Sequence, residues 1–303
     1  MSTSMTGDSA TLGNTIAGGT VPCSMLFVHA HPDDETIFTG ATMAHYAALG
    51  TRVALVTCTL GEQGDIYVPE LAHLAADQAD QLGGYRFSEL RTACGLLGVS
   101  QLRMLGGAGR YRDSGMPGTS GNAHHRAFGY TDVASAIAEL ADIIVELKPE
   151  VVLTYDESGL TAHPDHVRTH HVTMAAIRTA ADPARIDRWE VREAYAPTFP
   201  RGLLEAGQVR FRASSENPFA DVGELGSLPF VTADGLLDAR VDGSPHAEAK
   251  LAALAAHATQ IRPDTWLYAL ATNLGIEPTG VEYYRRLPLS TLDVFPESVA
   301  AGP

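Results

Sequence analysis

Four short apolar runs, at residues 25–30 (MLFVHA), 52–59 (RVALVTCT), 101–105 (QLRML) and 151–155 (VVLTY), alternate with helical periodicities over the first 180 residues. A strand that is apolar along its length must be covered on both faces, and helices inserted between successive strands supply that cover. The alternation predicts an α/β fold with a Rossmann-like, mostly parallel sheet and helices on both faces. Helices are expected at 37–49, closed by Gly50, at 132–147, with Ile137, Leu140, Ile144 and Leu147 on one face, and from Pro164 to about Thr179. Beyond residue 182 the pattern weakens: 189–196 and 235–241 read as strands and 246–257 as an Ala-rich helix. The expected organisation is a flexible tail over 1–22, an α/β core over 23–182, and a smaller mixed C-terminal subdomain over 183–303 that completes a cleft.

In sheets of this kind ligands gather at the carboxyl ends of the strands. Two clusters of ionisable residues stand there. His29-Ala-His31-Pro-Asp33-Asp34-Glu35 follows the first strand, and His163-Pro-Asp165-His166 follows the fourth after a loop. Crowded carboxylates and imidazoles are costly unless a cation neutralises them or they exchange protons. A catalytic zinc site takes three protein ligands from His and Asp/Glu and leaves one position open. His31 with one of the two aspartates, and either His163 or His166, supply such a set. A single His-Pro-Asp is equally a good turn and helix-start sequence, but that reading accounts poorly for two copies at the ends of two strands. Residues 106–130 lack periodicity and form an expected functional loop.

Composition narrows the classes. Lys+Arg number 21 and Asp+Glu 36, a formal net charge of −15, which opposes nucleic-acid and anionic-membrane partners. Cys23, Cys58 and Cys94 have no Cys-x-x-Cys spacing, which suits reduced thiols and a cytoplasmic location. No window has the length and apolarity of a membrane span. Gly-x-Gly-x-x-Gly after the first strand, the P-loop signature and Gly-x-Ser-x-Gly are all absent, which removes dinucleotide, nucleoside-triphosphate and serine-hydrolase readings.

The two clusters together resemble the zinc-dependent sugar N-deacetylase family, which includes the lipid-linked N-acetylglucosamine deacetylases. The stretches LFVHAHPDDE, VTCTLGEQG, DQLGGYRFSEL, LGGAGRYRDSGM, TYDESG, HPDHV and HATQ resemble its actinobacterial branch, which removes acetate from an N-acetylglucosaminyl-inositol in mycothiol biosynthesis. The resemblance implies a metal held by His31, Asp34 and His166, with Zn²⁺ in first place and Fe²⁺ as the other ion such a set suits. It implies Asp33 as general base, His163 as a second catalytic residue oriented by Asp165, and Arg86 and Asp113 as residues that hold the amino-sugar inositol. The same site in related enzymes cleaves the bulkier amide of mycothiol S-conjugates, and a non-catalytic sugar-binding member is a further alternative. One departure stands out: Thr161 occupies a position where the family carries a tyrosine.

Overall fold

A computed structural model describes residues 16–214, 217–219 and 223–290. The chain runs β1 (Ser24–His29), α1 (Asp34–Ala48), β2 (Arg52–Thr57), α2 (Leu82–Leu96), β3 (Gln101–Met104), α3 (Ala134–Leu147), β4 (Val151–Leu153), α4 (Gly159–Ala162) and α5 (Pro164–Ala180). It continues with β5 (Glu193–Pro200), α6 (Arg201–Arg212), β6 (Val231–Thr232), β7 (Ala239–Asp242), α7 (Ala247–Ala256), α8 (Trp266–Ala271) and β8 (Val281–Leu287). One sheet of eight strands has the order β3-β2-β1-β4-β5-β8-β7, with β6 paired to β5 off this path. Pairings from β3 through to β5 are parallel, whereas β5–β8 and β7–β8 are antiparallel.

Alternate residues of the buried strands feed two cores, as the uninterrupted apolar runs require. Leu26, Val28, Val56 and Val152 pack with α3 and α5 on one face, while Met25, Phe27, Leu55 and Leu153 pack with α1, α2 and α7 on the other. A third apolar cluster gathers Ile37, Phe38, Leu160, Phe199, Phe230 and Leu270 above the strand ends. Strand order reverses between β1 and β4, and both ionisable clusters follow those two strands. Such a reversal opens a crevice for ligands at the strands' carboxyl ends.

Several expected boundaries move. Helix α1 begins at Asp34 rather than Ile37, because its first turn consists of buried polar residues, Asp34, Glu35 and Thr36, that carry no apolar period. The strand expected at 189–196 lies at Glu193–Pro200, and the one at 235–241 shortens to Ala239–Asp242 behind a turn at Asp234–Leu236. Residues after 182 contribute β5, β8 and β7 to the same sheet as the first half. Of the expected tail, residues 1–15 lie outside the described residues, whereas Ile16 is buried and the Ala17 N–H donates to Glu193. Cys58 and Cys94 are buried and Cys23 is exposed.

Candidate active site

The loop from β1 into α1 turns on Asp33, whose φ of 115° is a left-handed value that an aspartate rarely adopts. Its carbonyl accepts from the Thr36 and Ile37 N–H groups and so starts the helix, while its side chain is not used as a cap. The carboxylate instead faces the cleft and accepts from Arg86 Nη2 at 3.1 Å. Burial pushes its pKa up to about 6, and the Arg86 charge opposes that rise.

Asp34, the next residue, points the other way. Its Oδ2 accepts from the His31 backbone N–H at 2.9 Å and from the Tyr155 hydroxyl at 2.7 Å. The same oxygen lies 3.2 Å from His31 Nδ1 and 3.3 Å from His166 Nε2, and those two nitrogens are 3.2 Å apart. Three potential ligand atoms therefore form a near-equilateral triangle. A tetrahedral ion with bonds of roughly 2.0–2.1 Å places its ligands about 3.3–3.4 Å apart, so the triangle has the size a zinc-like ion needs.

Outer contacts fix how both rings present themselves. His166 Nδ1 is 3.1 Å from the Gly159 carbonyl, a contact only an N–H can make, and this turns the Nε2 lone pair inward. Gly159 has φ +65° and a Cβ there would collide with the Val167 backbone, so glycine is required for this approach. His31 Nε2 faces Asp165 Oδ2 at 3.2 Å and Asp113 Oδ1 at 3.5 Å, leaving Nδ1 inward. A carboxylate behind a ligating imidazole holds the ring and raises its basicity. Burial alone would depress the His31 pKa, but Asp113, Asp165 and Asp34 hold it well above the ordinary imidazole value. Positive charge is thus favoured where the triangle lies. These residues fit a divalent cation.

Residues His31, His163 and His166 come together with Asp33 and Asp34 as expected; the expected pairing of Asp165 with His163 does not form. Asp165 Oδ1 accepts from the Ser114 hydroxyl at 2.5 Å, and Oδ2 accepts from the Ser114 N–H and faces His31. Only the Asp165 backbone N–H reaches His163, donating to Nδ1 at 3.2 Å. Residues two apart at a helix start do not face each other. His163 therefore keeps Nδ1 as acceptor and presents Nε2, 3.8 Å from Asp113 Oδ1. Burial, reinforced by His31 and His166, lowers its pKa to about 3, so the ring is neutral rather than the imidazolium that a carboxylate partner would favour.

Arg86 is buried and donates to the Gly61 and Pro32 carbonyls as well as to Asp33. A Cβ at Gly61, with φ +67°, would strike its guanidinium. Asp113 accepts from the Gly115 and Gln63 N–H groups. Burial would raise its carboxyl pKa, but His31 and His163 hold it well below the usual range. Four further residues that stand inside the quoted motifs without an expected role join the site: Tyr155, Ser114, Glu35 and His257. His29 and His170 flank Tyr155, with His29 Nδ1 3.4 Å from its hydroxyl and His170 Nδ1 2.8 Å from its carbonyl.

All this opens onto a cleft of about 640 Å³, within the size range of small-molecule sites. Its floor is His31, Asp33, Asp34, Arg86, Asp113, His163 and His166; Phe219, Leu228, Phe230 and Trp266 form an apolar wall. Thr161 lines it too, and the lining contains no tyrosine among the described residues.

Residues 26–177 match the family described as PIG-L: GlcNAc-PI de-N-acetylase. The chain belongs to this family. As a PIG-L family member it is a metal-dependent deacetylase, a hydrolase of N-acetyl amides. It is 52% identical over 279 residues to the 1D-myo-inositol 2-acetamido-2-deoxy-alpha-D-glucopyranoside deacetylase of Salinispora arenicola, covering 92% of this chain and 87% of that one. The protein of the same description from Geodermatophilus obscurus is 51% identical over 285 residues, covering 92% and 97%. Among solved structures, N,N'-diacetylchitobiose deacetylase from Pyrococcus horikoshii superposes with a TM-score of 0.57 at 20% identity, over 91% of this chain and 89% of that one. That likeness establishes the PIG-L fold alone.

Proposed function

We propose that this PIG-L deacetylase removes acetate from 1D-myo-inositol 2-acetamido-2-deoxy-alpha-D-glucopyranoside, a step of mycothiol biosynthesis. The observation that carries the chemistry is the triangle of His31, Asp34 and His166 with the Asp33 carboxylate beside it at the floor of one cleft. The substrate rests on the relatives of half-identical sequence. His31 Nδ1, Asp34 Oδ2 and His166 Nε2 would hold Zn²⁺, or Fe²⁺, which suits the same donors; when bound, the ion supplies Lewis acidity that acidifies a water and polarises an amide carbonyl.

The chain's own residues do the rest. Asp33, with a pKa near 6, accepts the proton of the attacking water as its oxygen bonds to the amide carbon. Arg86 steers that carboxylate from behind. His163 presents Nε2–H to the carbonyl oxygen as negative charge develops there. The proton on Asp33 then passes to the amide nitrogen, the C–N bond breaks, and acetate and the amine leave. Asp165 serves by orienting His31 through its carboxylate and His163 through its N–H. Asp113 and Arg86 are positioned to meet sugar and inositol hydroxyls, and residues 183–303 supply the apolar wall. We place the enzyme in a reducing cytoplasm; no helix of the described residues is long and apolar enough to cross a membrane.

The wall of Phe219, Leu228, Phe230 and Trp266 favours one second reading, cleavage of a bulkier mycothiol S-conjugate amide. Acetate release from the sugar–inositol, set against hydrolysis of a bimane conjugate of mycothiol, separates the two. Preference for the conjugate by more than about tenfold in kcat/KM moves the assignment to the amidase. Asp33→Ala should lower kcat by about 10²- to 10⁴-fold with metal content unchanged. Activity that survives this substitution refutes the mechanism, and sugar binding without any acetate release points to a non-catalytic protein.

A further inference from the structure

The strained Asp33 backbone needs something to hold it. A non-glycine residue in a sparsely populated region is strained and persists only where its surroundings over-determine it. The Asp33 N–H donates to Glu35 Oε2 at 2.9 Å. The other oxygen of that carboxylate takes the Thr36 hydroxyl at 2.5 Å and His257 Nε2 at 2.7 Å. Glu35 and His257 are both fully buried, and His257 lies 222 positions away in sequence, just after α7. A carboxylate removed from water needs such a partner.

The turn after α7 is itself fixed. Glu89 of α2 accepts from the Thr259 N–H at 2.9 Å and from its hydroxyl at 2.7 Å, and the His257 carbonyl accepts from Gln260 and Ile261 N–H groups. His257 is absent from the cleft lining, so it meets no substrate. Its Nδ1 is buried with no hydrogen-bond partner among the described residues, so Nε2 alone carries its role.

We propose that His257 is a positioning residue for the deacetylation, holding Asp33 in its catalytic backbone conformation through Glu35. This rests on the assignment of Asp33 as base. Glutamine carries its amide nitrogen as many bonds from Cα as imidazole Nε2, whereas the asparagine nitrogen stops at the place of Nδ1. His257→Gln and His257→Asn, in the full-length metal-loaded protein, therefore separate the contact from general polarity. In His257→Asn kcat falls about 10- to 100-fold, while KM stays within about threefold and bound metal keeps wild-type stoichiometry. His257→Gln stays within about threefold of wild type in kcat. On an Asp33→Ala background the Asn substitution changes the residual rate by less than about twofold, because the residue it acts through is gone. Amide hydrogen exchange over residues 31–36 accelerates in the Asn variant and not in the Gln variant. Equal falls in both variants, metal loss with Asn, or an undiminished effect on Asp33→Ala overturns the assignment. If the wild-type protein releases no acetate, the functional reading fails instead, and the exchange comparison alone decides whether His257 holds this loop.

Discussion

Tyr155 shows how one side chain ties the two motif clusters together. Its hydroxyl donates to Asp34 Oδ2 at 2.7 Å and accepts from the Ala30 N–H at 2.9 Å, while its ring stacks on His166 with centroids 4.3 Å apart. Tyr155→Phe keeps the stacking and removes both hydrogen bonds. Partners behind metal ligands are typically worth about 10- to 100-fold in affinity, so metal binding should weaken by that factor in a chelator competition. The orphaned Ala30 N–H should cost about 1–3 kcal/mol, read as a lower denaturation midpoint. Unchanged metal affinity would show that Asp34 is held without Tyr155. Nothing in VVLTY separates a site tyrosine from a core one, whereas His31, Asp33 and Asp34 announce themselves by crowding. The family resemblance pairs Asp165 with His163, two positions away, whereas its carboxylate turns at the helix start towards a histidine 134 positions away.

Helix α1 is served by segments far along the chain. Glu282 of β8 accepts from the Ala41 and Thr42 N–H groups at 3.0 and 2.9 Å. Lys250 of α7 donates to the Ile37 carbonyl at 3.1 Å and to Glu282 at 2.7 Å. A buried ion pair between α7 and β8 thus contacts the backbone of α1 at Ile37, Ala41 and Thr42. Lys250→Met leaves the Glu282 carboxylate buried without its cation, and loss of one partner of a buried pair costs about 3–5 kcal/mol. Urea unfolding should show that loss at unchanged m-value; a cost below about 1 kcal/mol, the scale of a surface pair, would mean that solvent reaches the carboxylate. This kind of element coupling is illegible in a sequence. The parallel half was readable because strands covered on both faces become apolar runs. Of the later strands, β5 and β7 begin several residues after their expected positions and β8 is not expected at all, because β5–β8 and β7–β8 pair antiparallel across distant segments and these strands carry residues such as Glu193, Arg285 and Glu282.

The charge of the whole molecule bears on which substrates reach the cleft. Formal charge is −15, and among the described residues that line the cleft Arg86 is the one Lys or Arg. Its guanidinium is already engaged by Asp33 and two carbonyls. A phosphate on the inositol would therefore approach a negative field and find no free cationic side chain on the lining. A neutral sugar–inositol feels little of that field. Exposed charges interact over a Debye length of about 10 Å at 0.1 M salt and about 3 Å at 1 M, so salt should act on the two substrates differently. Between about 0.05 and 0.5 M salt, kcat/KM for the neutral substrate should change by less than about twofold, while that for an inositol-phosphate analogue should start lower and rise. Steady-state rates on both compounds, with metal occupancy held constant, provide the check. An analogue that reacts faster than the neutral compound at low salt would show that the acidic surface does not set substrate charge preference, and would return a phosphoinositide-type substrate to consideration.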